Sequence, residues 1–131
     1  MEELFKLGIS EKTINDMLEL NPNIKEMTNN EIVEKISLLK NINCSDNQIL
    51  NIISSNSLYL NKTNDEIITM IKYLLNLGFD TLNILFDSNP YILNLEPFEI
   101  NNYINKRIKN NETTKDIIDD LETNPYLFNE M

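Results

Sequence analysis

Between Leu7 and Glu31 the chain reads LGISEKTINDMLELNPNIKEMTNNE, and the same punctuation returns three times further on. Leu7-Gly8 is echoed by Ile42-Asn43, Leu77-Gly78 and Asn110-Asn111, and Asn21-Pro22 by Asn56-Ser57, Asn89-Pro90 and Asn124-Pro125. Successive copies are offset by 35, 35 and 33 residues at the first landmark and by 35, 33 and 35 at the second. The two-residue shortfall therefore falls between Gly78 and Pro90, in one helix, while the other elements keep their lengths. A fixed period of this size signals supersecondary units that cannot bury their apolar faces alone and so stack. Function is then expected on a surface and not in a deep pocket.

Each copy is predicted to open with a helix whose entry follows the hydrophobic-staple rule: an apolar residue, a capping residue, and an apolar residue four positions on. Ile9-Ser10 with Ile14, Cys44-Ser45 with Ile49 and Phe79-Asp80 with Ile84 satisfy it, whereas Glu112-Thr113 with Ile117 has lost its apolar entry residue, as a terminal copy would. After the Asn-Pro break comes a short apolar turn, then a longer helix. Thr28 with Glu31 and Thr63 with Glu66 have the spacing of capping boxes, and Glu96 precedes Pro97 at a helix start. The stripes Ile32, Ile36, Leu39; Ile67, Ile71, Leu74; and Ile100, Ile104, Ile108 are expected to face the core. The fold expected is all-α: a right- or left-handed solenoid of about four three-helix repeats, approximately 4–36, 37–71, 72–104 and 105–131, the first and last incomplete, forming a single domain over 1–131.

With 41% hydrophobic residues and two glycines, the chain has the makings of one continuous core and no flexible linker. Asparagine fills about one position in six, at caps and polar faces between periodic apolar residues, which is not the pattern of an aggregating low-complexity tract. Met1-Glu2-Glu3 opens no signal sequence, and no apolar run approaches the ~20 residues of a membrane span, so a soluble, cytoplasmic protein without membrane contact is expected. Cys44 is the only cysteine and aligns with Ile9 and Phe79, so it is read as a packing residue. The chain has no histidine, paired cysteines, phosphate-binding glycine loop or nucleophile elbow, and no enzyme activity, cofactor or metal is expected.

The Leu-Gly-(apolar)-Ser entry, the Asn-Pro break and the longer helix leading into the next Leu-Gly resemble the repeat of the mitochondrial transcription termination factor (mTERF) family. Leu7-Gly8, Pro22, Leu77-Gly78, Pro90 and Pro125 fall on its recurring positions; Ile42-Asn43, Ser57 and Asn110-Asn111 depart from them. The resemblance implies a curved solenoid of three-helix units that binds nucleic acid in a transcription-related role.

Eleven cations against twenty-one carboxylates give a net charge of −10, which opposes a phosphate backbone. One local exception is the stripe of Asn102, Asn105, Lys106 and Lys109 with Arg107 beside it, readable as a nucleic-acid contact or as cations complementing a helix C-terminus. The acidic counterpart is Glu112, Asp116, Asp119, Asp120 and Glu122, readable as a solvated helix face, a contact for a basic protein partner, or a hard-cation site lacking a calcium loop. The charge favours a non-catalytic module docking onto a protein partner, one form being a nucleic-acid mimic that blocks a basic nucleic-acid-handling protein. Direct nucleic-acid binding is the alternative, and self-association through open ends a third.

Overall fold

The computed structural model describes residues 1–131, and its regular structure is entirely helical. The α-helices are α1 (Glu2–Lys6), α2 (Glu11–Leu20), α3 (Asn29–Lys40), α4 (Asp46–Ser55), α5 (Asn64–Leu77), α6 (Leu82–Ser88), α7 (Pro97–Lys109) and α8 (Thr114–Thr123). Between them lie four 3-10 helices, η1 (Pro22–Glu26), η2 (Ser57–Asn61), η3 (Pro90–Asn94) and η4 (Pro125–Glu130). The order helix, 3-10 turn, longer helix recurs, and α1 stands where the last turn of a longer helix stands later: Leu4, Leu39 and Leu74 are equivalent and fully buried.

Local chemistry sets the boundaries. Thr28–Glu31 and Thr63–Glu66 form complete capping boxes, as does Ser45–Gln48, and Glu96 precedes Pro97 at the start of α7. The residues after the longer helices must turn left-handed, and all four copies do so at one aligned position: Gly8 (φ 97°), Asn43 (70°), Gly78 (111°) and Asn111 (68°). Glycine and asparagine are the residues that tolerate this region.

Equivalent elements pack on one another. α2 lies on α4 and α4 on α6; α1 lies on α3 and α3 on α5; η2 lies on η3 and η3 on η4. The buried apolar side chains form one cluster running from Leu4 to Phe128. The recurring asparagines stitch neighbouring units together: the side-chain amide of Asn21 donates to the Ser57 carbonyl (3.0 Å), that of Asn56 to Pro90 (3.0 Å), and that of Asn89 to Pro125 (2.9 Å). Asn56 and Asn89 also donate to Asn94 and Asn129. Asn124 finds its partner on its own preceding helix and donates to Asp120 instead.

Three details differ from the sequence expectation. The helix after Gly78 starts late, with Thr81 at its N-cap and not Asp80, and Ile84 is exposed, so the staple is not formed there. Counting back from the asparagine explains it: Leu82, buried, lies seven residues before Asn89, as Ile14, Ile49 and Ile117 do before theirs. The shortfall removes the first turn of α6, and Ile84 falls in the column of the exposed Asp16 and Asp119. In α7, Ile108 is likewise exposed, because it aligns with the exposed Lys40 and Leu75; the column of Leu39 and Leu74 holds Arg107. Ile71 is half-buried, with Met70 beside it fully inside.

Candidate functional site

The five residues singled out on α7 do not form one patch. Asn102 and Lys106 line a groove of about 380 Å³ that they share with Phe98, Tyr103 and two carboxylates, Glu99 and Glu130. Asn105 and Lys109 are exposed. Arg107 is turned inward: its Nε donates to Glu112 Oε2 (2.8 Å), its Nη2 to Glu112 Oε1, and its Nη1 to Asp120 Oδ2 (2.8 Å) and Tyr103 Oη (3.1 Å). The guanidinium also lies 5.6 Å from the centre of the Tyr103 ring. Its donors are thus committed inside the molecule.

The same bonds dismantle the acidic face. Hydrogen bonds from Arg107 hold Glu112 below the usual carboxylate range, and they do the same to Asp120 with help from Asn124. Asp119 pairs with Lys115 (3.0 Å), Asp116 is exposed next to the Thr113 cap, and burial, with Asp80 and Asp119 nearby, pushes Glu122 up. No three side chains of metal-ligating type are gathered anywhere in the fold.

Alignment shows why Arg107, Glu112 and Asp120 meet. Arg107 fills the column of Leu4, Leu39 and Leu74; Glu112 that of Ile9, Cys44 and Phe79; Asp120 that of Met17, Ile52 and Leu85. All nine counterparts are buried. Three core columns switch from apolar to ionic together in the last unit, where no further long helix covers them.

The cations are segregated in a way the sequence reading missed. Lys35–Asn43, Ile67–Gly78 and Ile100–Asn111, the C-terminal parts of α3, α5 and α7, contain six of the eleven cations and none of the twenty-one carboxylates. Of the six, Arg107 is ion-paired and Lys35 is buried, while Lys40, Lys72, Lys106 and Lys109 are exposed and form no ion pair. Aligned with them are exposed Asn41, Asn76 and Asn105, and apolar Phe5, Leu75 and Ile108. The signal was present in the sequence as acid-free intervals recurring at the repeat period, and reading α7 alone hid it.

Cys44 is buried, and desolvation, with Asp87 nearby, pushes its thiol up to about 11, so it is not a nucleophile at neutral pH. No helix is long and apolar enough to cross a membrane.

The mTERF family model matches residues 1–118 of the chain. No curated protein and no solved structure matches it.

Proposed function

The chain belongs to the mTERF family, and from that premise we propose that it is a non-catalytic nucleic-acid-binding protein. We infer that its units stack as a single solenoid domain over 1–131, with about four copies of the helix, 3-10 turn, helix unit. The observation that carries the binding reading is the carboxylate-free interval at the end of α3, α5 and α7. In support, exposed Lys40, Lys72 and Lys109 recur on three successive long helices with asparagines at aligned positions, and Lys106 adds a fourth ammonium in the groove it shares with Glu99 and Glu130. Such a lane can neutralise phosphates while the remaining surface, with a large excess of carboxylates, keeps the protein from binding polyanions indiscriminately. Asn105 remains a candidate contact; Arg107 supports the lane from within by holding the end of α7 against α8.

The test is binding of a short duplex and a single strand at two salt concentrations. About four phosphate contacts predict an affinity loss on the order of a hundredfold between about 50 and about 200 mM salt. Replacing the four lysines by glutamate should abolish binding. No binding at low salt ends this reading.

The net charge of −10 favours a second reading, in which Asp116, Asp119, Glu122 and the other exposed carboxylates face a basic protein. A partner retained by the four-lysine variant and released by high salt would support it in place of the first.

A further inference from the structure

A second cationic feature lies away from the lysine lane, in the groove where the first unit meets the second. The groove measures about 370 Å³ and is lined by Asn23, Met27, Glu31, Lys35, Leu60, Asn61, Lys62 and Thr63. Three residues around it break the repeat pattern. Lys35 stands where the next units have Met70 and Tyr103; Lys62 stands where the others have Met27, Leu95 and Glu130; Tyr59 stands where they have Ile24, Ile92 and Leu127. Two positions that are not basic in any other unit have become basic, 27 residues apart in the chain, and both cations open onto one groove.

The third departure holds the first in place. Tyr59 is fully buried, and its hydroxyl donates to the Lys35 carbonyl (2.6 Å). Lys35 itself is only 7% exposed, and its sole partner is a neutral amide, Asn64 Oδ1 at 2.6 Å. The stem of Lys35 is packed into the groove wall while its ammonium, part-buried, carries no bonded counter-charge. No neighbouring carboxylate is bonded to the Lys35 ammonium, although Glu66 lies close enough to feel both lysines. Glu31 accepts from the Thr28 amide and hydroxyl, Glu34 from the Asn64 amide, and Glu66 from the Thr63 backbone while standing 3.9 Å from the Lys62 ammonium. The groove also borders the N-terminus of α5, the positive end of a 14-residue helix.

We propose that this groove is a phosphate-binding site, in which Lys35 and Lys62 grip a phosphoryl group over the start of α5. Lys35 supplies one ammonium, Lys62, now 3.9 Å from Glu66, the other, and the Asn61 and Thr63 side chains flank the anion. A phosphoryl group, with three acceptor oxygens, can take hydrogen bonds from both amines at once, which a single carboxylate does less well, and it displaces Glu66 from Lys62 when it binds. The site is independent of the lysine lane and stands whether or not that lane binds nucleic acid.

The experiment is a titration of the full chain with inorganic phosphate at constant ionic strength, followed by amide shifts in a nitrogen-edited NMR spectrum. Saturable shifts at Lys62, Thr63, Asn64 and Asp65 are expected. Lys35→Met and Lys62→Leu place at each position a residue another unit already carries there. Each should weaken phosphate binding roughly tenfold, the loss of one charge-assisted hydrogen bond, with melting curves unchanged in shape. Lys62 is partly exposed, so its variant reports on binding even where Lys35→Met perturbs packing. Shifts that never saturate, or that persist equally in both variants, overturn the proposal. A short oligonucleotide that moves the same amides and competes with phosphate assigns the group to a polynucleotide backbone. Phosphate shifts without oligonucleotide shifts assign it to a small phosphorylated ligand.

Discussion

Leu74, Phe79 and Leu85 occupy the same three columns as Arg107, Glu112 and Asp120, and the two trios could hardly differ more in chemistry. The first is buried and apolar in the middle of the stack; the second is a hydrogen-bonded ion triad in which each side chain keeps between about a fifth and a third of its surface in water. Both keep the backbone link that closes the turn, Phe79 N to Leu74 O (3.2 Å) and Glu112 N to Arg107 O (3.2 Å). The repeat therefore prescribes geometry, and each column's side chain is chosen by what covers it. A covered column favours apolar atoms; an uncovered one tolerates charge only with its counter-charges supplied.

The sharpest way to break this comparison is to cut each trio in turn. Leu74→Ala should destabilise by about 2–5 kcal/mol in denaturant unfolding, since it leaves a cavity in a closed core. If Arg107→Ala costs as much, the ionic trio is held as tightly as the apolar one and cover does not set the difference. The asparagine rungs repeat the contrast at smaller scale. Asn89→Ala strands the Pro125 carbonyl and the Asn129 amide oxygen and should cost about 1–3 kcal/mol. Asn124→Ala, which loses only a bond to Asp120 within its own unit, should cost less, and equal costs would deny that the rungs act between units.

The smallest effect is the most diagnostic. Glu112 and Asp120 have lowered folded pKa values, so their contribution to stability is present above the ordinary carboxylate range near 4 and is lost as pH falls through the lowered values. Arg107→Met removes the cation and leaves two carboxylates facing each other. It should lower Tm by a few degrees at pH 7, with the gap to the parent closing as the pH approaches about 3. A gap that stays constant with pH would mean that Arg107 stabilises by packing over Tyr103 and not by charge.

Much of this architecture was legible in the sequence because it rests on local rules. Caps such as Thr28 and Thr63, the left-handed positions and the Asn-Pro breaks are set by residues within a turn of one another. The register of α6 was not, because a two-residue loss can be absorbed at either end of a helix and only packing of Leu82 decides which. The triad was hidden for a related reason. Spacing by four along α7 selects Ile108 as the third inward residue, whereas alignment between units selects Arg107, whose partners lie five and thirteen residues on, across the turn into α8. Lys35 and Lys62 were visible as basic letters but acquire meaning only as departures from their columns.

The rungs carry one more consequence, for how the protein ages. Asparagine loses ammonia when the next residue's backbone nitrogen attacks its side-chain carbonyl, and proline, having no N–H to give up, blocks that ring closure. Pro22, Pro90 and Pro125 therefore protect Asn21, Asn89 and Asn124, whereas Asn56 is followed by Ser57. An aspartate at position 56 would set an acceptor against the Pro90 carbonyl where a donor now stands. Among these four equivalent asparagines, slow chemical wear thus has one unprotected position, at the joint between the second and third units.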